Sequence, residues 1–224
     1  MDLYIYKKMK TINDYQIILD NIKKLDLYSV SEIDIENIIC HFGLTFDNRA
    51  LYGAYQHCMN KPEELGLWQK PDQLAPLIKY LLNHCSINSF LEVGTYKAST
   101  FLILREFLLL KNKNLQSLTI DPYRLISDEF VNNFSINYQM ADISSIDKQY
   151  DLIFIDGDHS YNSVKTDYEK AISLNPKYIL FHDIQDKYCP GVVSLWHEIK
   201  KNKDNYIEFK TRDDIMGLGL IILK

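Results

Sequence analysis

Apolar residues keep a helical spacing through the first third of the chain and then fall into short continuous runs separated by helical stretches. Between Thr11 and Leu25, the residues Ile12, Tyr15, Ile18, Leu19, Ile22 and Leu25 share one face, with Lys and Asp opposite, which predicts an amphipathic helix. Ser31-Glu32-Ile33-Asp34 opens a second helix, its Ser and Asp suiting a helix start. A third is expected over Asn48 to Met59, where Leu51, Tyr52, Tyr55 and Cys58 lie on one side. An aromatic stripe of this kind reads as packing, so the segment is a helical cap. Lys61 to Pro71 carries two prolines and a glycine and marks a boundary. The expected units are an N-terminal helical extension over 1–70 and a core domain over 71–224.

Pro71 stands near the start of a helix through Leu74, Leu77, Ile78, Leu81 and Leu82, where its missing amide costs little. Strands follow near Ser89–Val93, Ser117–Asp121, Ile136–Met140, Leu152–Asp156 and Tyr178–His182. Helices fill the intervals at Thr100–Leu110, Ser127–Asn133, Ser163–Ser173 and Val192–Lys201. This alternation predicts an α/β fold with a doubly wound, mostly parallel sheet. Tyr206–Lys210 and Ile215–Leu223 are joined by a short polar turn, and parallel strands need a long crossover, so these last two pair antiparallel.

Two strands end in chemistry. Leu152-Ile153-Phe154-Ile155 runs into Asp156-Gly157-Asp158-His159, and Tyr178-Ile179-Leu180-Phe181 into His182-Asp183. Unbroken apolar runs suit central strands covered on both faces, and such sheets bind ligands beyond the carboxyl ends of their strands. Each acidic residue taken singly could cap the next helix. Five polar groups at two strand ends point to a site if the strands are neighbours.

Composition narrows the function. The 224 residues are 46% hydrophobic and 25% charged, as in an ordinary globular protein, and are long enough for one α/β core with an appendage. A net charge of -5 gives no basic footprint, so nucleic acid is not an expected partner. No apolar run has the length of a membrane span, and the start lacks the apolar core of a signal peptide, which leads us to expect a cytoplasmic protein. Cys40, Cys58, Cys85 and Cys189 have no paired spacing and are expected as reduced, buried thiols.

A cofactor strand precedes the acidic tips. Ser89-Phe90-Leu91-Glu92-Val93 leads into a turn at Gly94 and a helix start at Ser99 or Thr100, where free amides favour a polar or anionic group. The next strand ends in Asp121, and a carboxylate there can accept both hydroxyls of a ribose. Read apart from each other, Gly94 is a tight turn and Asp121 a turn former before Pro122. Together they point to a nucleoside-bearing cofactor, either a nicotinamide dinucleotide or S-adenosylmethionine. The dinucleotide fingerprint requires three glycines after the first strand, and this loop has one.

Glu92-Val93-Gly94, Asp121, Ile155-Asp156-Gly157-Asp158-His159-Ser160-Tyr161 and Phe181-His182-Asp183 resemble the successive motifs of class I S-adenosylmethionine-dependent methyltransferases. The resemblance covers about Pro71 to Lys224. It is nearest to the small metal-dependent O-methyltransferases that include macrocin O-methyltransferase-like and cephalosporin-hydroxylase-like proteins. It implies a Rossmann-like sheet of seven strands with the last antiparallel. It also implies that Glu92, Gly94, Thr95, Tyr96 and Ser99 surround the methionine end of the cofactor, Asp121 holds the ribose, and Asp142 lies beside the adenine, with Asp156 shared between cofactor and metal. The acceptor it implies is a sugar hydroxyl, in a nucleotide sugar or glycosylated metabolite such as those of surface polysaccharide biosynthesis, with a catechol-like phenol second. Two positions depart from the pattern: Ala98 stands where a second glycine is usual, and His182 where a carboxylate is usual.

A hydroxyl is a poor nucleophile until its proton is removed, so such a site needs a Lewis acid or a base. Asp156 and Asp183 are the expected metal ligands with His182 third, for Mg²⁺, Mn²⁺ or Fe²⁺. Asp158 and His159 are the two candidate bases. The competing readings are a nicotinamide-dependent oxidoreductase and a non-catalytic binding protein on the same fold. The extension over 1–70 is expected to supply part of the acceptor pocket or a subunit contact in a homo-oligomer.

Overall fold

The computed structural model describes residues 10–45, 53–59, 65–202 and 204–224. Helix α1 (Ile12–Lys23) and helix α2 (Glu32–Phe42) each open on a capping box: Thr11 pairs reciprocally with Asp14, and Ser31 with Asp34. The side chain satisfies a free amide at each helix start, and the acidic residue suits the positive end of the helix dipole. The predicted third helix differs. A 3-10 segment over Gly53–Cys58 replaces it, with Tyr55 outside helical geometry, and the upstream part of that prediction lies outside the described residues. The backbone of Leu44 bridges to both Met59 and Leu67, so the chain is drawn into a local pairing that helical periodicity does not reveal.

The core alternates as predicted. Helix α3 (Pro71–His84) has its proline in the first turn; then come β1 (Ser89–Val93), α4 (Ser99–Lys111), β2 (Gln116–Asp121), α5 (Asp128–Asn133) and β3 (Tyr138–Met140). After them follow β4 (Leu152–Ile155), α6 (Tyr161–Ser173), β5 (Tyr178–Phe181), α7 (Pro190–Asn202), β6 (Tyr206–Phe209) and β7 (Leu218–Ile222). The seven strands form one sheet in the order β3-β2-β1-β4-β5-β7-β6. The first five run parallel, while β7 pairs antiparallel with both β5 and β6. Strand order reverses beside β1, and β1 and β4 are neighbours there, so their carboxyl ends frame the crevice such sheets use for ligands.

Strand alternation divides the core between the two faces. Phe90, Leu152, Phe154, Leu180, Leu218 and Leu220 pack with α1 to α4, whereas Leu91, Val93, Ile153, Ile155, Ile179 and Phe181 pack with α6 and α7. Both faces of β4 and β5 are therefore buried, which is why their sequences are apolar throughout. Trp196 of α7 reaches β7 at Gly219, where a Cβ would lie 2.6 Å from the indole ring, and its Nε1 donates to Glu208 at 2.6 Å.

The cysteine expectation is corrected in part. Cys85 and Cys189 are free and buried, but Cys40 and Cys58 form a disulfide with Cα atoms 4.4 Å apart. Their separation of 18 residues has no paired spacing; the fold of the N-terminal segment brings them together. Among the described residues no helix is long and apolar enough to cross a membrane.

Candidate active site

Above the carboxyl ends of β1, β2, β4 and β5 lies a cavity of ≈ 1940 Å³. A single small ligand usually occupies about 300–1,000 Å³, so two molecules fit side by side. Glu92, Gly94, Thr95, Tyr96, Ser99, Asp121, Asp142, Asp156, Asp158, His159, His182 and Asp183 all line it. The twelve candidate residues thus stand in one place. What each does there is a matter of chemistry.

The loop after β1 is held from below. Thr119 Oγ1 donates to Glu92 Oε2 at 2.7 Å and contacts Thr95 Oγ1 at 2.7 Å, so a buried polar chain underlies the turn. Burial pushes the Glu92 carboxyl well above its usual range. Gly94 has φ +100°, and the close approach it permits is to a neighbouring strand end: a Cβ there would lie 2.0 Å from the Asp156 carbonyl oxygen. Tyr96 and Ala98 also adopt left-handed backbone, at φ 46° and 61°. Ala98, where a second glycine is usual, thus holds left-handed backbone itself, at a local cost. Ser99, in the first turn of α4, has a buried Oγ with no hydrogen-bond partner among the described residues. An orphan hydroxyl beside free helix-start amides fits a polar ligand group in this loop.

Asp121 ends β2 with both oxygens engaged: Oδ2 accepts from the Tyr96 amide at 3.0 Å and Oδ1 from the Tyr123 amide at 2.8 Å. It shapes the turn, and each oxygen retains a lone pair for a hydroxyl donor. Asp142 precedes a short 3-10 turn at Ile143–Ser145 on the β3 side of the cavity.

At the other end, adjacent β4 and β5 bring the acidic tips together as the strand pattern predicts. His182 Nδ1 lies 2.9 Å from Asp156 Oδ1 and 3.4 Å from Asp183 Oδ2; His159 Nε2 lies 3.1 Å from Asp183 Oδ2 and 3.9 Å from Asp156 Oδ1. Burial alone would raise the Asp156 carboxyl, but His182 and His159 outweigh it and hold it below the usual range. Burial likewise opposes charge on His182, and Asp156 and Asp183 push it up to about 9. The Asp156 and Asp183 carboxylates raise His159 far more. The two imidazoles and the two carboxylates thus stand as one polar cluster. Asp183 is also held at φ 60°, outside the usual range for a side-chain-bearing residue, as occurs at functional tips.

Asp156, His182 and Asp183 offer ligand atoms within 4.8 Å of one another. His182 Nε2 is buried and has no partner among the described residues, so the ring is fixed only through the nitrogen that faces the carboxylates. Two nearly buried carboxylates and one imidazole fit a divalent cation. His159, Asp183 and Cys189 form a second group sharing Asp183, with Cys189 Sγ 3.4 Å from Asp183 Oδ2.

The two candidate bases differ. Asp158 is exposed, and the Ser160 amide, 2.6 Å from Oδ1, holds its carboxyl below the usual range, which makes it a weak base. His159 is 45% exposed at the cavity wall and has the closer link to the carboxylates. Sequence reading missed four further side chains. Trp68 and Tyr188 line the cavity, Asp167 reaches it from α6, and Gln69 Nε2 donates to Asp156 Oδ2 at 3.3 Å. Burial, then the charges of Asp142 and Asp158, raise the Asp167 carboxyl to about 6.

Comparison with known proteins agrees with the fold. Residues 91–184, from β1 through the tip of β5, match the family model of a methyltransferase domain. No curated protein matches the sequence. Among solved structures, the chain is similar to a proposed O-methyltransferase from Klebsiella pneumoniae, with 15% identity, TM-score 0.53 and coverage of 96% of this chain and 97% of that one. It is similar to the O-methyltransferase TomG from Streptomyces achromogenes, involved in tomaymycin synthesis and solved with S-adenosylmethionine, at 12% identity and TM-score 0.52, covering 96% and 100%. A proposed caffeoyl-CoA O-methyltransferase from Staphylococcus aureus aligns at 14% identity and TM-score 0.51, again covering 96% and 100%. At such identities the shared property is the fold, and it is the seven-stranded Rossmann-like fold of methyltransferases.

Proposed function

We propose that this chain, with its methyltransferase domain match over residues 91–184 and its methyltransferase fold, is an S-adenosylmethionine-dependent, divalent-metal-assisted O-methyltransferase. The observation that carries the proposal is one cavity with two unlike sets of side chains. The Gly94–Ser99 loop and Asp121 offer an orphan hydroxyl, free amides and a carboxylate; beside them, Asp156, His182 and Asp183 form an acidic cluster suited to a cation. Bound S-adenosylmethionine would supply the methyl group, and a divalent cation would lower the pKa of the acceptor hydroxyl.

The chain's own residues do the rest. Ser99 and the α4 amides bind the amino-acid end of the cofactor, Asp121 accepts from the ribose, and Asp142 lies on the adenine side. Asp156, His182 and Asp183 would hold the cation. His159 takes the hydroxyl proton at Nε2, the nitrogen now facing Asp183; Asp158 is the alternative and is weakened by its bond to the Ser160 amide. A cation held by Asp156, His182 and Asp183 would offset the carboxylate charge that now raises His159.

The acceptor we propose is a sugar hydroxyl, in line with the motif resemblance. Trp68 and Tyr188 provide aromatic faces on the cavity wall for it, and through Gly66 and Trp68 the extension over 1–70 contributes to the pocket. A phenol is the second reading, because the same aromatic walls suit a flat ring and one structural relative is a proposed caffeoyl-CoA O-methyltransferase. A screen of labelled methyl transfer to nucleotide sugars and catechols separates them: turnover on phenols alone overturns the sugar reading. Titration with S-adenosylhomocysteine and NAD separates the enzyme class, and binding of NAD alone would overturn the methyltransferase.

A further inference from the structure

The two oxygens of Asp156 have different partners. Oδ1 faces His182 Nδ1, while Oδ2 accepts from Gln69 Nε2 at 3.3 Å. Gln69 comes from outside the strand tips that supply the rest of the cluster, on the two-residue lead into α3. Its backbone is anchored by the N-terminal segment: the Leu67 amide donates to the Gly43 carbonyl at 2.9 Å and the Thr45 amide to the Leu67 carbonyl at 3.2 Å. Gly66 is pressed so closely on Leu44 that a Cβ would lie 2.6 Å from its carbonyl carbon. The side chain of Gln69 is 1% exposed and has little freedom to choose another partner.

The direction of its amide is set by charge. Turning it over would oppose Oε1 to a carboxylate oxygen, so Nε2 must face Asp156, and Oε1 is then buried with no partner among the described residues. A buried acceptor left unpaired lowers stability, and an apolar side chain of similar length would avoid that loss. Among the described residues, the bond to Asp156 is the side-chain hydrogen bond set against that loss. We propose that Gln69 is a positioning residue, which fixes Oδ2 of Asp156 and so turns Oδ1 toward His182 and the cation. The N-terminal segment would then shape the metal end of the site as well as the acceptor pocket.

This inference rests on the metal reading above, and the test separates the two. Mn²⁺ is titrated calorimetrically into the full chain, into Gln69→Met and Gln69→Leu, and into Asp156→Asn, with S-adenosylhomocysteine affinity and Tm measured on each. Loss of a residue that orients a ligand weakens metal binding by roughly 10- to 100-fold. We expect that loss in both Gln69 variants, with S-adenosylhomocysteine affinity within about twofold and Tm unchanged or raised, because the unpaired Oε1 is gone. Wild-type Mn²⁺ affinity in the Gln69 variants, alongside its loss in Asp156→Asn, overturns the role of Gln69 and leaves the metal reading standing. A fall in Tm, or failure of both variants to fold, identifies a structural role and also overturns it. A wild-type chain that binds no Mn²⁺ overturns both.

Discussion

Gly94 and Asp156 meet back to back at the tips of β1 and β4, with room between them for a hydrogen but not a methyl: a Cβ on Gly94 would stand 2.0 Å from the Asp156 carbonyl oxygen. The proposed cofactor loop and the acidic cluster are therefore set by one backbone contact. Gly94→Ala adds this clash to an unfavourable φ of +100°, at a cost of roughly 3 kcal/mol or more. Its Tm should fall well below wild type, and S-adenosylhomocysteine should bind more weakly. Wild-type values for both would show that the loop tolerates the methyl.

Ala98 tests the same loop in the opposite direction. It is buried at φ 61° where glycine would be unstrained. Ala98→Gly should relieve about 1 kcal/mol of left-handed strain, partly offset by the more flexible unfolded chain. Denaturant melts should show a small rise in stability with cofactor affinity retained, and a clear loss of stability would contradict it.

Asp121→Ala should weaken S-adenosylhomocysteine binding by roughly 2 to 4 kcal/mol, the loss of one or two charge-assisted bonds. The same change strips acceptors from the Tyr96 and Tyr123 amides, so Asp121→Asn is the control that keeps part of the turn. Calorimetry should rank wild type above Asn above Ala. Equal affinity in all three removes Asp121 from the site.

Asp167 gives a pH signature. Its folded pKa of about 6 lies above the model-compound value of 3.8. A carboxyl raised on folding lowers stability once it ionises. The cost is absent below about pH 3.8, grows through the window up to about 6, and is complete above it. Asp167→Asn should thus be stabilised relative to wild type by ~1 to 2 kcal/mol at pH 8, after allowing for solvent screening, and by less at pH 4.5. Denaturant melts at the two pH values check this; an advantage that is the same at both would contradict it.

The sequence was most informative where one residue type served one purpose. Leu152 to Ile155 and Tyr178 to Phe181 are apolar because both their faces are covered, so periodicity alone revealed central strands, and their polar continuations had to emerge at the sheet end. The short turn before β7 revealed the antiparallel end of the sheet for a similar reason. Side chains that reach the site through tertiary packing were not legible. Gln69 lies 87 residues from Asp156 and precedes a helix whose pattern speaks only of its apolar face. Asp167 stands on a helix that is mostly polar, where a carboxylate carries no signal. The Cys40–Cys58 bridge lies beside the pairing of Leu44 with Met59, and of the predicted helical stripe Tyr55 and Cys58 fall in the 3-10 segment that leads into that pairing.

The central claim is that the atoms holding the cofactor are separate from those activating the acceptor, and that the latter need a divalent cation. The direct measurement is labelled methyl transfer from S-adenosylmethionine to a hydroxyl acceptor, by chain stripped with chelator and by chain restored with Mg²⁺, Mn²⁺ or Fe²⁺, with cofactor affinity followed in parallel. Stripping should leave that affinity nearly intact and abolish most turnover, restoration should recover it, and Asp156→Asn and Asp183→Asn should behave as the stripped protein. Metal-free chain that methylates its acceptor at full rate would contradict the account.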